Sequence, residues 1–328
     1  MAAGGRRIVA PVCSAAEAEL ALDAGADELY CGAMFDEWAD VFGDSDLISR
    51  RQGRTAHVSS REEIAAVVEV ATERGKPVAL AANARYTRAQ MALVLETIRL
   101  WEEVGGQSVL VTDLGVLLAL NERGSALERH LSTLAGVFNS AAAAFFSKLG
   151  VCRIVLPRDM TLEEIRGLTS AAPKMQYEAL AMYQKCEFID GMCGFYHGTR
   201  IPSDTPAEFE YTELPGESGA VAYSPDPGYE GHGCQMRWLL ADGGVVRHLS
   251  GDDFGTPHCA ACVLDELGAA GVGYFKIAGR SYPPESIARA TRFLRAASGD
   301  DNKALYAATF GRPCESRKCY YERERHGP

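Results

Sequence analysis

The chain has 328 residues, 47% of them hydrophobic, and a formal net charge of -11. That is enough apolar material for a large core, in one big domain or two smaller ones. The acidic balance argues against non-specific binding to nucleic acid or to an anionic membrane, although a local basic cleft stays open.

The N-terminal "MAAGGRRIVAPVC" has no long apolar run after its arginines and reads as neither a secretory signal nor a membrane anchor. No stretch approaches the ~18–20 apolar residues of a membrane span, so a cytoplasmic protein is expected. Strands are predicted near 7–11, 28–31, 77–82, 108–112, 129–132, 152–156, 176–181 and 272–277. Helices fit between them near 15–24, 60–74, 88–103, 114–123, 139–149, 161–170 and 259–270, with a last one near 284–297. One rhythm recurs: a helical stretch, a Gly-containing turn, then a short β-rich run, as in "ALDAGADELYCG" (21–32) and "LGAAGVGYFKIAG" (267–279). Glycine closes a helix by taking the left-handed conformation, and the apolar run that follows reads as a strand buried on both faces. "TLEE" (161–164) is a capping box, and Asn139 is placed to cap the helix after it.

Strands alternating with helices imply a parallel sheet, and eight of them suggest an α/β (β/α)8 TIM-like barrel; a doubly wound open sheet is the alternative. The rhythm breaks between the seventh strand and the helix near 259, where roughly 75 residues show no convincing period. An insertion of that length is usually functional, and in a barrel it opens onto the C-terminal face. The reading is one barrel domain over 1–300, with a cysteine-bearing insertion over 182–258, and a polar tail over 301–328.

Ten cysteines are distributed unevenly. Cys13, Cys31 and Cys152 lie in or beside strands and read as small buried hydrophobes, with Cys31 placed to look into a site. "KCEFIDGMC" sets Cys186 and Cys193 six residues apart, and Cys234 and Cys259 follow in or at the end of the same insertion. A polar, Gly-rich insertion has little core for them to fill, and reduced thiols clustered there suit a metal. Four thiolates are the complement of an iron–sulfur cluster or a structural zinc, and C-x6-C fits the usual zinc spacing poorly. "HCAAC" (258–262) adds Cys262, either as a rival fourth ligand or as a redox pair with Cys259. "CESRKC" (314–319) reads as a second metal or redox site, or as plain exposed tail.

Other groups end or follow predicted strands and should line the C-terminal mouth: Asn83, Ser132, Thr133, Arg158, Lys276 and Arg280. Arg158 and Arg280 are candidates to clamp a carboxylate; a solvated surface charge is the plain alternative for each cation. His197, His232 and His258 lie near cysteines as candidate ligands or proton donors, or as solvated loop residues. Asp190 is an acid/base candidate or a turn residue.

Several segments together resemble the collagenase-like peptidase family U32: "IVAPVCSAAEAELALDAGADELYCG" (8–32), "LVTDLGVLLAL" (110–120), "HLSTLAGVFNSAAAAFFSKLGVCRIVLPRDMTLEEI" (130–165) and "GVGYFKIAGR" (271–280). The resemblance covers roughly 7–295. It implies either a peptidase or an iron–sulfur protein of oxygen-independent hydroxylation, whose substrates in the family include a ubiquinone precursor and RNA bases. The sequence carries no G-x-S-x-G and no H-E-x-x-H. Carried over, the resemblance implies a [4Fe–4S] cluster on Cys186, Cys193, Cys234 and Cys259, the last fixed by its twelve-residue distance from the Gly of "AAGV". Two departures, a long Cys193–Cys234 stretch and "CQMRW" without its usual second cysteine, mark a specialised member. The expected substrate is a small aromatic or carboxylated molecule. The expected partner is a homologous subunit or an electron donor, with no membrane and no nucleic acid. A non-catalytic cluster-bearing subunit is a further alternative.

Overall fold

A computed structural model describes residues 5–43, 48–51, 53–183, 190–192, 238–242, 245–249, 257–314 and 319–321. Its strands are β1 (Arg7–Pro11), β2 (Glu28–Cys31), β3 (Val78–Ala82), β4 (Ser108–Val111), β5 (Glu128–Leu131), β6 (Val151–Val155), β7 (Gln176–Met182), β8 (Trp238–Asp242), β9 (Val245–Leu249) and β10 (Tyr274–Ile277). Its α-helices are α1 (Ala15–Asp23), α2 (Asp36–Phe42), α3 (Arg61–Glu73), α4 (Arg88–Glu103), α5 (Leu114–Glu122), α6 (Ser140–Lys148), α7 (Leu162–Ala171), α8 (Leu264–Ala269), α9 (Pro284–Ala296) and α10 (Asn302–Phe310). Eight strands close in the order β1-β10-β7-β6-β5-β4-β3-β2, every neighbour parallel. This is the (β/α)8 barrel expected from the alternation.

Local chemistry explains the elements. Ser14, Ser60, Thr87, Asn139 and Thr161 cap the helices that follow them, with full capping boxes at Thr87–Gln90 and Thr161–Glu164. At the helix-to-strand turns Gly25 and Gly271 take φ of 100° and 95°, a region that only glycine enters at little cost. Among the described residues no helix is long and apolar enough to cross a membrane.

The chain divides into two compact units, one of Met1–Cys193 with Asp252–Pro328 and one of Gly194–Gly251. In the second, β8 pairs antiparallel with β9. The segment read as a polar tail differs from that reading. It contributes α10, and it buries Tyr306, Tyr320 and Tyr321. The reason is aromatic packing: Tyr306 and Phe310 stack edge-on or tilted against each other and against Phe293 of α9.

The barrel interior holds an ionic chain. Arg153 of β6 donates to Glu28 of β2 at 2.6 Å and to Glu178 of β7 at 3.2 Å. Lys276 of β10 donates to the other oxygen of Glu178 at 2.9 Å. Arg153 lies over the Tyr274 ring at 3.5 Å and Lys276 over the Tyr30 ring at 3.7 Å. Burial alone would raise the Glu178 carboxyl, but Lys276 and Arg153 outweigh it and hold it at about 2. Two cations and two carboxylates thus neutralise each other out of contact with water.

Candidate functional site at the barrel mouth

The mouth is built on residues that follow strands. Asn83, just past β3, donates to Ser132 Oγ, just past β5, at 3.2 Å. The Asn83 side-chain oxygen accepts the Arg50 backbone N–H at 3.0 Å, and Ile48 O accepts from the Tyr86 hydroxyl at 2.7 Å. These bonds hold residues 48–51 against the ends of the strands. On its other side the same segment meets Arg280, which follows β10: Arg280 Nη2 donates to Ser49 Oγ at 2.6 Å and Nη1 to Ala56 O at 3.2 Å. Asn83 and Arg280 are therefore linked through one strap, although they are almost 200 residues apart in sequence.

Arg280 is only 4% exposed. Burial pushes its guanidinium below the ordinary value, and the groups around it that favour its charge are hydroxyls and thiols: Tyr30, Cys13, Cys31 and Tyr86. Arg51 is also pushed down, to about 10, by burial and by the nearby charges of Arg280 and Arg50. Among the described residues, Arg280, Arg51 and Arg50 form no ion pair with a carboxylate. A buried cation without an anion is costly, and here it stands at the functional end of a barrel. Gly32 makes room for it: a Cβ there would meet Arg280 Nη1 at 1.7 Å.

Ser49 and His57 form a buried hydroxyl–imidazole pair at 2.8 Å. His57 Nδ1 faces Gly53 O at 2.8 Å, so that nitrogen carries the proton and Nε2 accepts from Ser49. Burial, then the Arg280 charge, pushes His57 down to about 3. A histidine this weak is a poor general base, and the Ser49 hydroxyl is already held by Arg280.

The opposite side of the mouth is closed by an ion pair. Arg158, after β6, binds Asp190 through its backbone N–H and Nε, each at 2.9 Å, and through Nη2 at 2.6 Å. Burial would raise Asp190, but Arg158 prevails and keeps it below the ordinary carboxyl value. The bidentate clamp expected of Arg158 is therefore made to a residue of the chain itself, and Asp190 serves as its partner. Lys276 lies deeper, in the interior chain with Glu178. Cys13 and Cys31 are pushed up to about 12, mainly by burial, and are inert thiols.

Of the proposed cluster ligands, Cys186, Cys193 and Cys234 lie outside the described residues, as do His197 and His232. Cys259 is 8% exposed and stands at the rim, bridged to Met182 at the end of β7. His258 is buried, and its carbonyl accepts from Tyr183 N at 2.9 Å. Burial pushes the Cys259 thiol up to about 12, reinforced by Cys319, Cys262 and Cys314. Sequence reasoning missed Ser49, His57 and Arg51. The only signal for them was a run of cations, "SRRQGR", just after α2.

The family model described as peptidase family U32 matches residues 13–312. A Methanocaldococcus jannaschii protein named an uncharacterized protease is 28% identical over 53% of this chain and 39% of its own length. The tRNA hydroxylation protein P of Helicobacter pylori is 23% identical over 89% of this chain and 64% of its own. The tRNA hydroxylation protein P2 of Bacillus subtilis is 25% identical over 74% of each. The chain thus spans less than two thirds of the length of the first two.

Proposed function

The chain belongs to peptidase family U32, and from that premise we propose that it is a redox enzyme of the oxygen-independent hydroxylating type acting on a small carboxylated, aromatic molecule. The observation that carries the reading is Arg280: a buried guanidinium at the barrel mouth, flanked by Arg51, with neutral groups for partners. Such a pair recognises a carboxylate by charge-assisted, bidentate hydrogen bonds. Two of the three relatives named above are tRNA hydroxylation proteins, which supports hydroxylation; the third is named a protease. The net charge of -11 favours a small substrate over RNA.

The cofactor proposed is a [4Fe–4S] cluster on Cys186, Cys193, Cys234 and Cys259. The one ligand among the described residues, Cys259, is a buried sulfur donor at the rim, which suits iron. When bound, the cluster would carry electrons one at a time between substrate and an external partner, a homologous subunit or an electron carrier. Converting C–H to C–OH with oxygen from water releases two electrons and two protons; with an oxygenated donor, that donor is reduced instead. The chain's own task is placement. Arg280 and Arg51 hold the carboxylate, Ser49 and Ala56 fix the Arg280 fork, and the Arg158–Asp190 pair borders the opposite side of the mouth.

The peptidase reading has less support. The buried Ser49–His57 pair has the composition of a nucleophile and its base, but His57 is too weak a base and Ser49 too enclosed. The test is anaerobic purification, with iron and sulfide analysis, followed by calorimetric titration with benzoate and with neutral benzamide. Iron-bearing protein that binds benzoate in preference to benzamide, and loses at least about tenfold in affinity on Arg280→Lys, supports the proposal. Iron-free protein that cleaves peptides overturns it.

A further inference from the structure

Two cysteine pairs far apart in sequence converge in the fold. Cys259 and Cys262 flank two residues at the start of the 3-10 turn before α8; Cys314 and Cys319 flank four residues beyond α10. All four line one small pocket, together with Asn302 and Tyr306. The backbone holds them there. Cys259 is bridged to Cys319, and Cys259 O accepts from Tyr320 N at 3.1 Å. Tyr306 donates to Pro257 O at 2.7 Å, and Leu180 N donates to the Tyr321 hydroxyl at 3.0 Å, so the C-terminal segment is seated on the end of β7. Asn302 braces the same wall: it is buried, and its Nδ2 donates to Ala261 O at 2.9 Å and to Gly299 O at 3.0 Å.

We propose that Cys259, Cys262, Cys314 and Cys319 form a four-thiolate iron–sulfur centre that pins the C-terminal segment to the barrel. The C-x2-C and C-x4-C spacings fall within the range of thiolate metal sites. Cluster size follows from separation. A single zinc with bonds of about 2.3 Å draws its sulfurs to within roughly 4 Å of one another. Among the described residues, the only group of three or more His, Cys, Asp or Glu ligand atoms all within 4.8 Å of one another is Glu128, His130 and Cys152, so no three of these four sulfurs are that close together. A cluster, whose thiolates sit on separate irons, accommodates sulfurs farther apart than a single zinc does. Cys314 and Cys319 lie beyond the residues that match the family model, so the centre belongs to this chain and not to the family pattern. Only the choice of metal rests on the function proposed above. The assignment takes Cys259 out of the cluster proposed above, which then rests on Cys186, Cys193 and Cys234 with one iron lacking a protein thiolate.

The test is metal and sulfide analysis of anaerobically purified full-length protein and of Cys262→Ser, Cys314→Ser, Cys319→Ser, Cys186→Ser and Cys193→Ser. Loss of about four irons per chain in each of the first three variants supports the centre. Because a variant can fail to fold, cysteine alkylation of the native chain is read alongside. Cys262 is exposed yet should resist alkylation until a chelator has stripped the metal. Iron that disappears only in Cys186→Ser and Cys193→Ser overturns this inference and leaves the proposed function standing. Zinc in place of iron, or free alkylation of Cys262 and Cys314 in iron-loaded protein, overturns it as well. Native protein without any iron removes both readings.

Discussion

Two regions of the barrel bury cations and treat them in opposite ways. In the interior, Arg153 and Lys276 share Glu28 and Glu178, and the four charges cancel. At the mouth, Arg280 is equally buried, yet its partners are a serine hydroxyl and a backbone carbonyl. Burying a charge is repaid only by an opposite charge and good hydrogen bonds, so the interior group is complete and the mouth group is not. The difference separates structure from site: a cation left unneutralised by its own fold is placed for an anion from outside.

The largest effect should come from breaking the complete group. Glu178→Ala leaves Lys276 and Arg153 facing each other without their shared carboxylate, and should cost about 3–5 kcal/mol in urea unfolding. A cost below about 1 kcal/mol would mean that Glu28 alone can neutralise both cations, and the interior would no longer contrast with the mouth. A smaller effect, confined to the mouth, is expected from Gly32→Ala. The added Cβ would meet Arg280 Nη1 at 1.7 Å and His57 Cδ2 at 2.7 Å, so the guanidinium must move. Stability should fall by about 1–3 kcal/mol, and benzoate binding should fall with it. Unchanged binding would show that the position of Arg280 does not matter to the ligand.

Much of this architecture was legible beforehand, and what was not has physical causes. The eight barrel strands lie within two residues of their expected positions, because buried parallel strands are continuous apolar runs and the capping residues mark where each helix starts. Helix α2 was missed because Phe35 begins it without a side-chain cap. The β8–β9 pairing did carry a signal, "DGG" between two apolar runs, which is a hairpin cue. Arg280 and Asn83 could be placed at the mouth because they follow strands. Lys276 could not be separated from them without the register: it shares the inward face of β10 with Tyr274, within the strand and not after it. Ser49 and His57 come from a stretch with no period, and their role exists only once the strap closes on Arg280. The meeting of Cys259 and Cys262 with Cys314 and Cys319 is equally non-local. Each pair was visible alone, and only the packing of α10 and the tyrosines joins them.

A final comparison separates the two regions by pH. His57 is pushed down to about 3 in the folded protein, against an ordinary 6.5. Below pH 6.5 the unfolded chain takes a proton there that the folded chain refuses, so stability falls as pH drops from 6.5 towards 3, by up to about 1.4 kcal/mol per unit. Glu178 sits at about 2, against an ordinary 4.5. Its contribution is present above 4.5 and is lost as pH falls through 4.5 towards 2, so it adds nothing to the slope at pH 6. Urea unfolding at pH 7.0, 6.0 and 5.0 should therefore show a decline to which His57 contributes and Glu178 does not. In His57→Asn, which keeps a polar side chain but does not titrate, that decline should flatten, while the steeper loss below pH 4.5 stays. If the pH 7 to 5 slope survives His57→Asn unchanged, then His57 is reachable by solvent protons in the folded state. The enclosure of the Ser49–His57–Arg280 group, on which the contrast with the interior depends, would then fail.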